Sequence, residues 1–243
     1  LLLSDDLRMA SGVGTVSKEF VLGTINKYDW VQIGGAIKHP DIGKVFDMRD
    51  DIRKEFPDAD NPYLMIYPTS GYGDPDLLRS LLVREKPDAL MIYTDPRFWV
   101  WLYQMEHEIR SKIPIFYYNI WDDLPYPMWN EPYYESCDLI MNISKQTYNI
   151  VDNVRQNLPV NDWSNTYVPH GINSNVFKPI SIDDKGYLQF LKESKHPKDD
   201  YEFVVFYNAR NIRRKLPGDV ILAFSTFVDM IPEEKRGKCL LLM

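Results

Sequence analysis

The stretch Ala89-Leu-Met-Ile-Tyr93-Thr-Asp95-Pro96 decides the fold. Five apolar residues in succession, with no polar alternation, suit a strand covered by helices on both faces. Asp95 then sets a carboxylate cap ahead of a proline at the first helical position, where the missing N–H costs nothing. Helical spacing continues from Pro96 to Ser111, so the segment reads as a strand followed by a crossover helix.

Working outward, short apolar or β-branched runs recur at Leu1–Ser4, Trp30–Gly34, Tyr63–Tyr67, Ile115–Asn119, Leu139–Ile143 and Thr166–Pro169. With Ala89–Tyr93 they imply seven strands. Between them lie helical stretches at Pro75–Glu85 and Lys145–Gln156, with Asp74 and Ser144 in the capping positions. Strands alternating with helices mean right-handed crossovers and a parallel sheet. The predicted fold class is α/β, with a Rossmann-like parallel-sheet domain over 1–177. Residues 178–200 dissolve into Pro179, Asp183-Asp-Lys-Gly186 and Ser194-Lys-His-Pro-Lys-Asp-Asp200 around one amphipathic piece, Tyr187–Leu191, and read as a linker. Residues 201–243 hold a strand at Phe203–Tyr207, a helix at Gly218–Met230 and a strand at Lys238–Met243, the first βαβ unit of a second α/β domain. The absence of an initiator Met and the closing run Cys239-Leu-Leu-Leu-Met243 suggest an excerpt of a longer polypeptide, whose uncovered last strand invites self-association.

Composition narrows the chemistry. The 243 residues carry 28 basic and 35 acidic side chains, a formal charge of −7, which repels phosphate backbones and argues against nucleic acid as a partner. The longest apolar runs, such as Phe98–Tyr103, fall far short of the roughly 20 residues a membrane span needs. Cys137 and Cys239 are too few and too far apart for a disulfide framework or a CxxC metal site, which favours a reducing compartment, the cytoplasm by default.

Four segments carry candidate chemistry. In Ser4–Thr15, Gly12 and Gly14 would let backbone approach a ligand at a helix start, or simply make a tight turn. A dinucleotide fingerprint is not met, because Ser17 stands where the third glycine belongs. In Asn208-Ala-Arg210-Asn-Ile-Arg213-Arg214-Lys215, four cations in six residues follow a strand, where α/β sheets bind ligands; they suit a diphosphate or form a solvated face. In Tyr167–Pro179, His170 at a strand end could act as a base or donor, or hydrogen-bond within a turn. In Tyr117–Trp129, Asn119, Trp121 and Asp122 follow a strand; Asp122 or Asp123 could be a lone base beside aromatic faces fit for a sugar ring, or the loop could be a proline-rich surface turn.

Together these segments resemble the retaining glycosyltransferases of the GT-B type, most like family 4. The resemblance spans nearly the whole chain. It rests on the glycine loop after the first strand, the Pro169-His-Gly-Ile172 segment with a later Phe177-Lys-Pro179, and above all Arg210 and Lys215, which match the spacing of the family's G-R-x-x-x-x-K pattern with Ala209 in place of the glycine. The resemblance implies a nucleotide-diphosphate sugar as donor, an acceptor it does not identify, retention at the anomeric carbon, two domains closing over the donor, and neither cofactor nor metal. Arg210, Lys215, Gly12 and Gly14 are the expected diphosphate-binding residues, with Arg214, His170 and Asn119 in support. Where many relatives carry a histidine, this sequence offers Asn119, Trp121 and Asp122, which makes Asp122 the catalytic candidate. The family's E-x7-E element and base pocket would follow Met243, so the chain alone is expected to be inactive. A GT-B-type nucleotide-sugar epimerase and a non-catalytic anion- or sugar-binding module are the alternative readings.

Overall fold

The computed structural model describes residues 1–155, 164–193 and 201–243. Contacts divide the chain into two units, Leu1–Gly171 and Ile172–Met243, so the first ends at Gly171 where the sequence suggested 177.

The first unit is an eight-stranded sheet. Its strands are β1 (Leu2–Asp5), β2 (Trp30–Ala36), β3 (Phe46–Asp47), β4 (Leu64–Ser70), β5 (Leu90–Tyr93), β6 (Ile115–Asn119), β7 (Leu139–Asn142) and β8 (Ser164–Tyr167), in the order β3-β4-β2-β1-β5-β6-β7-β8. All seven expected strands are present and parallel to one another. The last ends at Tyr167 rather than Pro169, because a proline has no N–H for the ladder; Val168 makes the final bond, to the Asn142 carbonyl at 2.8 Å. The eighth strand, β3, is antiparallel to β4, pairing Phe46 with Ile66. Two residues are too short to show alternation, so no periodic signal marks it.

Successive residues of each strand face opposite cores. Leu3, Ile33, Ile92, Tyr117 and Ile140 belong to one, packed by helices α3 (Pro75–Glu85), α4 (Val100–Tyr103), α5 (Glu106–Arg110), α6 (Glu131–Glu135) and α7 (Lys145–Val154). Leu2, Ile66, Met91 and Tyr118 belong to the other, packed by α1 (Gly12–Gly23) and α2 (Arg49–Glu55). This is a doubly wound sheet, and its near-continuous apolar strands follow from being covered on both sides.

The capping residues act as expected. Asp74 accepts from the Asp76 and Leu77 amides, Asp95 from Arg97 and Ser144 from Thr147. The single helix expected over Pro96–Ser111 is instead a 3-10 turn at Pro96–Trp99 followed by α4 and α5. The breaks fall at Trp99 and Met105, two buried side chains whose φ angles of −106° and −114° leave the helical region. The last residue expected in the Lys145 helix, Gln156, lies outside the described residues.

In the second unit, helix α8 (Lys185–Glu193) extends the expected amphipathic piece in both directions, and Asp184 accepts from Tyr187 N–H at its start. Strands β9 (Phe203–Phe206) and β10 (Cys239–Leu242) pair in parallel around α9 (Pro217–Met230) and the short α10 (Glu233–Arg236), the expected βαβ unit. The polar run at 194–200 lies outside the described residues.

Candidate functional site

In the first unit the strand order reverses between β1 and β5, and ligands of open α/β sheets bind beyond the carboxyl ends at such a switch point. The loop after β1 is built there around its two carboxylates. Asp5 accepts from Tyr72 OH at 2.9 Å and from the Ser11 hydroxyl at 2.6 Å, and Ser11 in turn caps α1 by accepting from Gly14 N–H at 2.9 Å. Tyr72 is held in its phenol form, its pKa raised by burial and by the Asp5 charge. Gln32, fully buried, donates to the Ser4 hydroxyl and the Asp5 carbonyl and accepts from Leu7 N–H.

Asp6 is also fully buried. The Arg8 guanidinium donates to both its oxygens at 3.0 and 2.7 Å, and Arg8 lies 3.8 Å over the ring of Phe46. His39 sits 3.1 Å from the same carboxylate, while its other ring nitrogen accepts from Asp41 N–H at 3.0 Å. Burial alone would raise the Asp6 pKa, but the hydrogen bonds and charge of Arg8, with His39, hold it below the ordinary carboxylate range. Gly34 makes room for this carboxylate: a Cβ there would fall 2.8 Å from Asp6 Oδ2.

The two glycines of the loop differ. A Cβ on Gly14 would meet the Met9 carbonyl oxygen at 2.7 Å and that of Asp6 at 2.9 Å, whereas one on Gly12 would meet nothing within 4 Å. Gly14 therefore packs the turn, and Gly12 leaves open space beside the start of α1. Across the switch point, Thr94 is buried with φ of 144°, a region normally left to glycine.

His170 is exposed, but its Nε2 lies 3.2 Å from Tyr93 OH and its ring packs edge-on against Tyr118, 5.5 Å between centroids. Burial of part of the ring lowers its pKa, favouring neutral imidazole near pH 7. Tyr118 donates to the Val168 carbonyl at 3.1 Å and is pushed up to about 12 by burial. Asn119 is buried and occupied within the sheet: its amide donates to Asn142 at 3.1 Å and its carbonyl oxygen accepts from Trp121 N–H at 3.1 Å. Its geometry is that of a brace for the following loop. Asp122 is exposed on that loop, and its backbone carbonyl accepts from Gln146 Nε2 at 2.8 Å.

In the second unit, Arg213–Lys215 form a 3-10 turn just after β9, closed by Tyr207 OH donating to the Lys215 carbonyl at 2.6 Å. Arg210, Arg213, Arg214 and Lys215 are all exposed, and among the described residues no carboxylate pairs with any of them. Each remains free to engage an anion.

Sequence reasoning singled out the Ser4–Thr15 segment but not Asp5, Asp6 or Arg8 within it, and passed over Tyr72, Tyr93 and His39. The adjacent carboxylates at the end of the first strand were the visible signal. Nothing in the sequence ties His39 to Asp6 across 33 positions.

Doubly wound parallel strands followed by a second α/β unit make this a Rossmann-like α/β protein with the fold of GT-B chains. Among solved structures it is similar to HepE of Anabaena in complex with UDP and glucose, with a TM-score of 0.56 at 9% identity, covering 99% of this chain and 59% of that one. It is similar also to a trehalose-6-phosphate synthase of E. coli bound with UDP-2-fluoro glucose, with a TM-score of 0.59 at 13% identity, covering 99% of this chain and 63% of that one. The chain thus spans less than two thirds of the length of either. No protein-family model and no curated protein matches it. No described helix is long and apolar enough to cross a membrane.

Proposed function

We propose that this chain belongs to a glycosyltransferase that moves a sugar from a nucleotide-diphosphate donor to an acceptor with retention at the anomeric carbon, in the manner of family 4. The observation that carries the reading is the turn after β9, where Arg210 and Lys215 stand exposed and unpaired among the described residues. As the sugar–phosphate bond breaks, negative charge grows on the departing diphosphate, and fixed cations stabilise that charge without any metal. The fold, shared with one protein solved with UDP and glucose and another with UDP-2-fluoro glucose, supports the same reading.

The first unit supplies roles of its own. The open backbone at Gly12 admits a phosphate to the start of α1. His170, neutral and held by Tyr93, offers a hydrogen bond to a sugar hydroxyl, and exposed Asp122 is the candidate base. A chain spanning about three fifths of its structural neighbours is expected to bind donor and turn it over little, if at all. A soluble, cytoplasmic protein is part of the proposal. So is self-association through residues 201–243, where Leu222 is 68% and Met230 80% exposed.

Calorimetric titration with UDP and UDP-glucose tests the donor assignment. Saturable binding that Arg210→Ala and Lys215→Ala each weaken supports it, and affinity unchanged in both variants overturns it. The anomeric configuration of any transfer product, read by proton NMR, decides retention. Sedimentation of a strictly monomeric species would sink self-association.

A further inference from the structure

The loop between β6 and α6 exposes an unusual amount of apolar surface for its length. Leu124, Tyr126, Met128 and Trp129 are all exposed, Trp129 at 59%. Isolated exposed apolar residues need no explanation, but four within six residues, beyond the carboxyl end of a parallel strand, point to a binding surface. The loop is also held firmly. Trp121 N–H donates to Asn119 and its indole N–H to the Asp123 carbonyl at 3.1 Å, Gln146 ties the Asp122 carbonyl, and Trp121 and Trp129 meet edge to face at 6.3 Å. Arg97 lies over the Trp121 ring at 5.3 Å, its charge already taken by Asp95. Trp129 meets Trp121 on one side only and Tyr126 has no ring contact among the described residues, so both present aromatic surface to solvent.

Interleaved with these rings are Asp122 and Asp123, both exposed. That mixture selects among partners. Two carboxylates among the apolar side chains, in a chain of net charge −7, oppose insertion into an anionic bilayer, which repels and would have to desolvate them. A second copy of the loop would bring carboxylates against carboxylates. A neutral oligosaccharide fits both features: pyranose rings present a C–H face to an aromatic ring and hydroxyls to neighbouring carboxylates.

We propose that the Trp121–Trp129 loop is an oligosaccharide-binding platform, with Trp129 stacking on a pyranose ring and Asp122 and Asp123 accepting hydrogen bonds from its hydroxyls. Calling that oligosaccharide the acceptor rests on the transferase reading above; binding itself does not. The probes are maltohexaose and cellohexaose, titrated calorimetrically into the 243-residue chain without any nucleotide, alongside co-sedimentation with vesicles of phosphatidylcholine and phosphatidylglycerol. Saturable binding of either hexaose, weakened at least tenfold by Trp129→Ala and by Tyr126→Ala with thermal midpoints unchanged, is the expected result. Absence of saturable binding to both sugars, affinity unchanged in both variants, or vesicle binding that Trp129→Ala abolishes overturns the proposal. Titrating UDP into the unaltered chain and into Arg210→Ala in parallel separates the two readings, because a UDP affinity that the substitution leaves unchanged counts against the donor assignment and leaves the hexaose result standing on its own.

Discussion

The imidazole of His39 donates from Nε2 to the buried carboxylate of Asp6 at 3.1 Å, because its Nδ1 is occupied in accepting the Asp41 amide at 3.0 Å. The neighbours thus select the tautomer. This pair ties the segment after β2 to the loop after β1, and with Arg8 it fixes that loop beside the switch point before any ligand arrives.

Asp6 links the loop to acid stability. Its pKa is held below the ordinary 3.8 despite burial, so its contribution is present above the unfolded value and is lost as pH falls through the lower folded value. Urea unfolding of the unaltered chain is expected to weaken steeply below about pH 4. Asp6→Asn should cost about 2–4 kcal/mol at pH 7, since Arg8 loses its buried carboxylate and keeps only the longer contact to Asp41 at 3.7 Å, and should flatten the acid limb. Identical acid limbs in the two proteins would contradict the assignment.

The two loop glycines should separate folding from binding. Gly14→Ala forces a Cβ to within 2.7 Å of the Met9 carbonyl oxygen and is expected to destabilise by about 1–3 kcal/mol. Gly12→Ala meets no atom of the chain within 4 Å, so it should leave the thermal midpoint nearly unchanged while weakening UDP binding. Comparable melting shifts for both would count against this division.

His170 should titrate below the ordinary 6.5, because burial of part of its ring disfavours the cation. In the window below 6.5 the unfolded chain then binds more protons than the folded one, so stability rises with pH there and falls on acidification. Proton NMR of the imidazole signal reads the pKa directly. A value above 6.5 would reverse the sign, and an acid limb below pH 6.5 that His170→Asn leaves intact would show that His170 does not contribute to it.

Arg210→Ala and Lys215→Ala remove exposed cations without a carboxylate partner among the described residues, so neither should shift the melting midpoint. Each should weaken UDP binding by about 1.5–3 kcal/mol, the range of a hydrogen bond to a charged group. A melting shift without an affinity change would mark them as structural.

The fold was legible because its signals are local. Ala89–Tyr93 and its neighbours are apolar on successive residues since helices cover both faces, and the Asp74, Asp95 and Ser144 caps act through amides within three positions. The signals failed where packing overrode spacing: the helix after Asp95 breaks at buried Trp99 and Met105, and β3 is too short to alternate.

By itself the sequence determined seven of the eight strands of the first sheet in their chain order, their parallel pairing, and the cluster of cations after Phe203–Phe206, all consequences of periodicity, caps and chain chirality. Only tertiary structure decided which polar residues meet. His39 reaches Asp6, Tyr72 reaches Asp5 and Tyr93 reaches His170 across 33, 67 and 77 positions. Those contacts depend on strand order and on the space left by Gly34, and neither is written in any local pattern of residues.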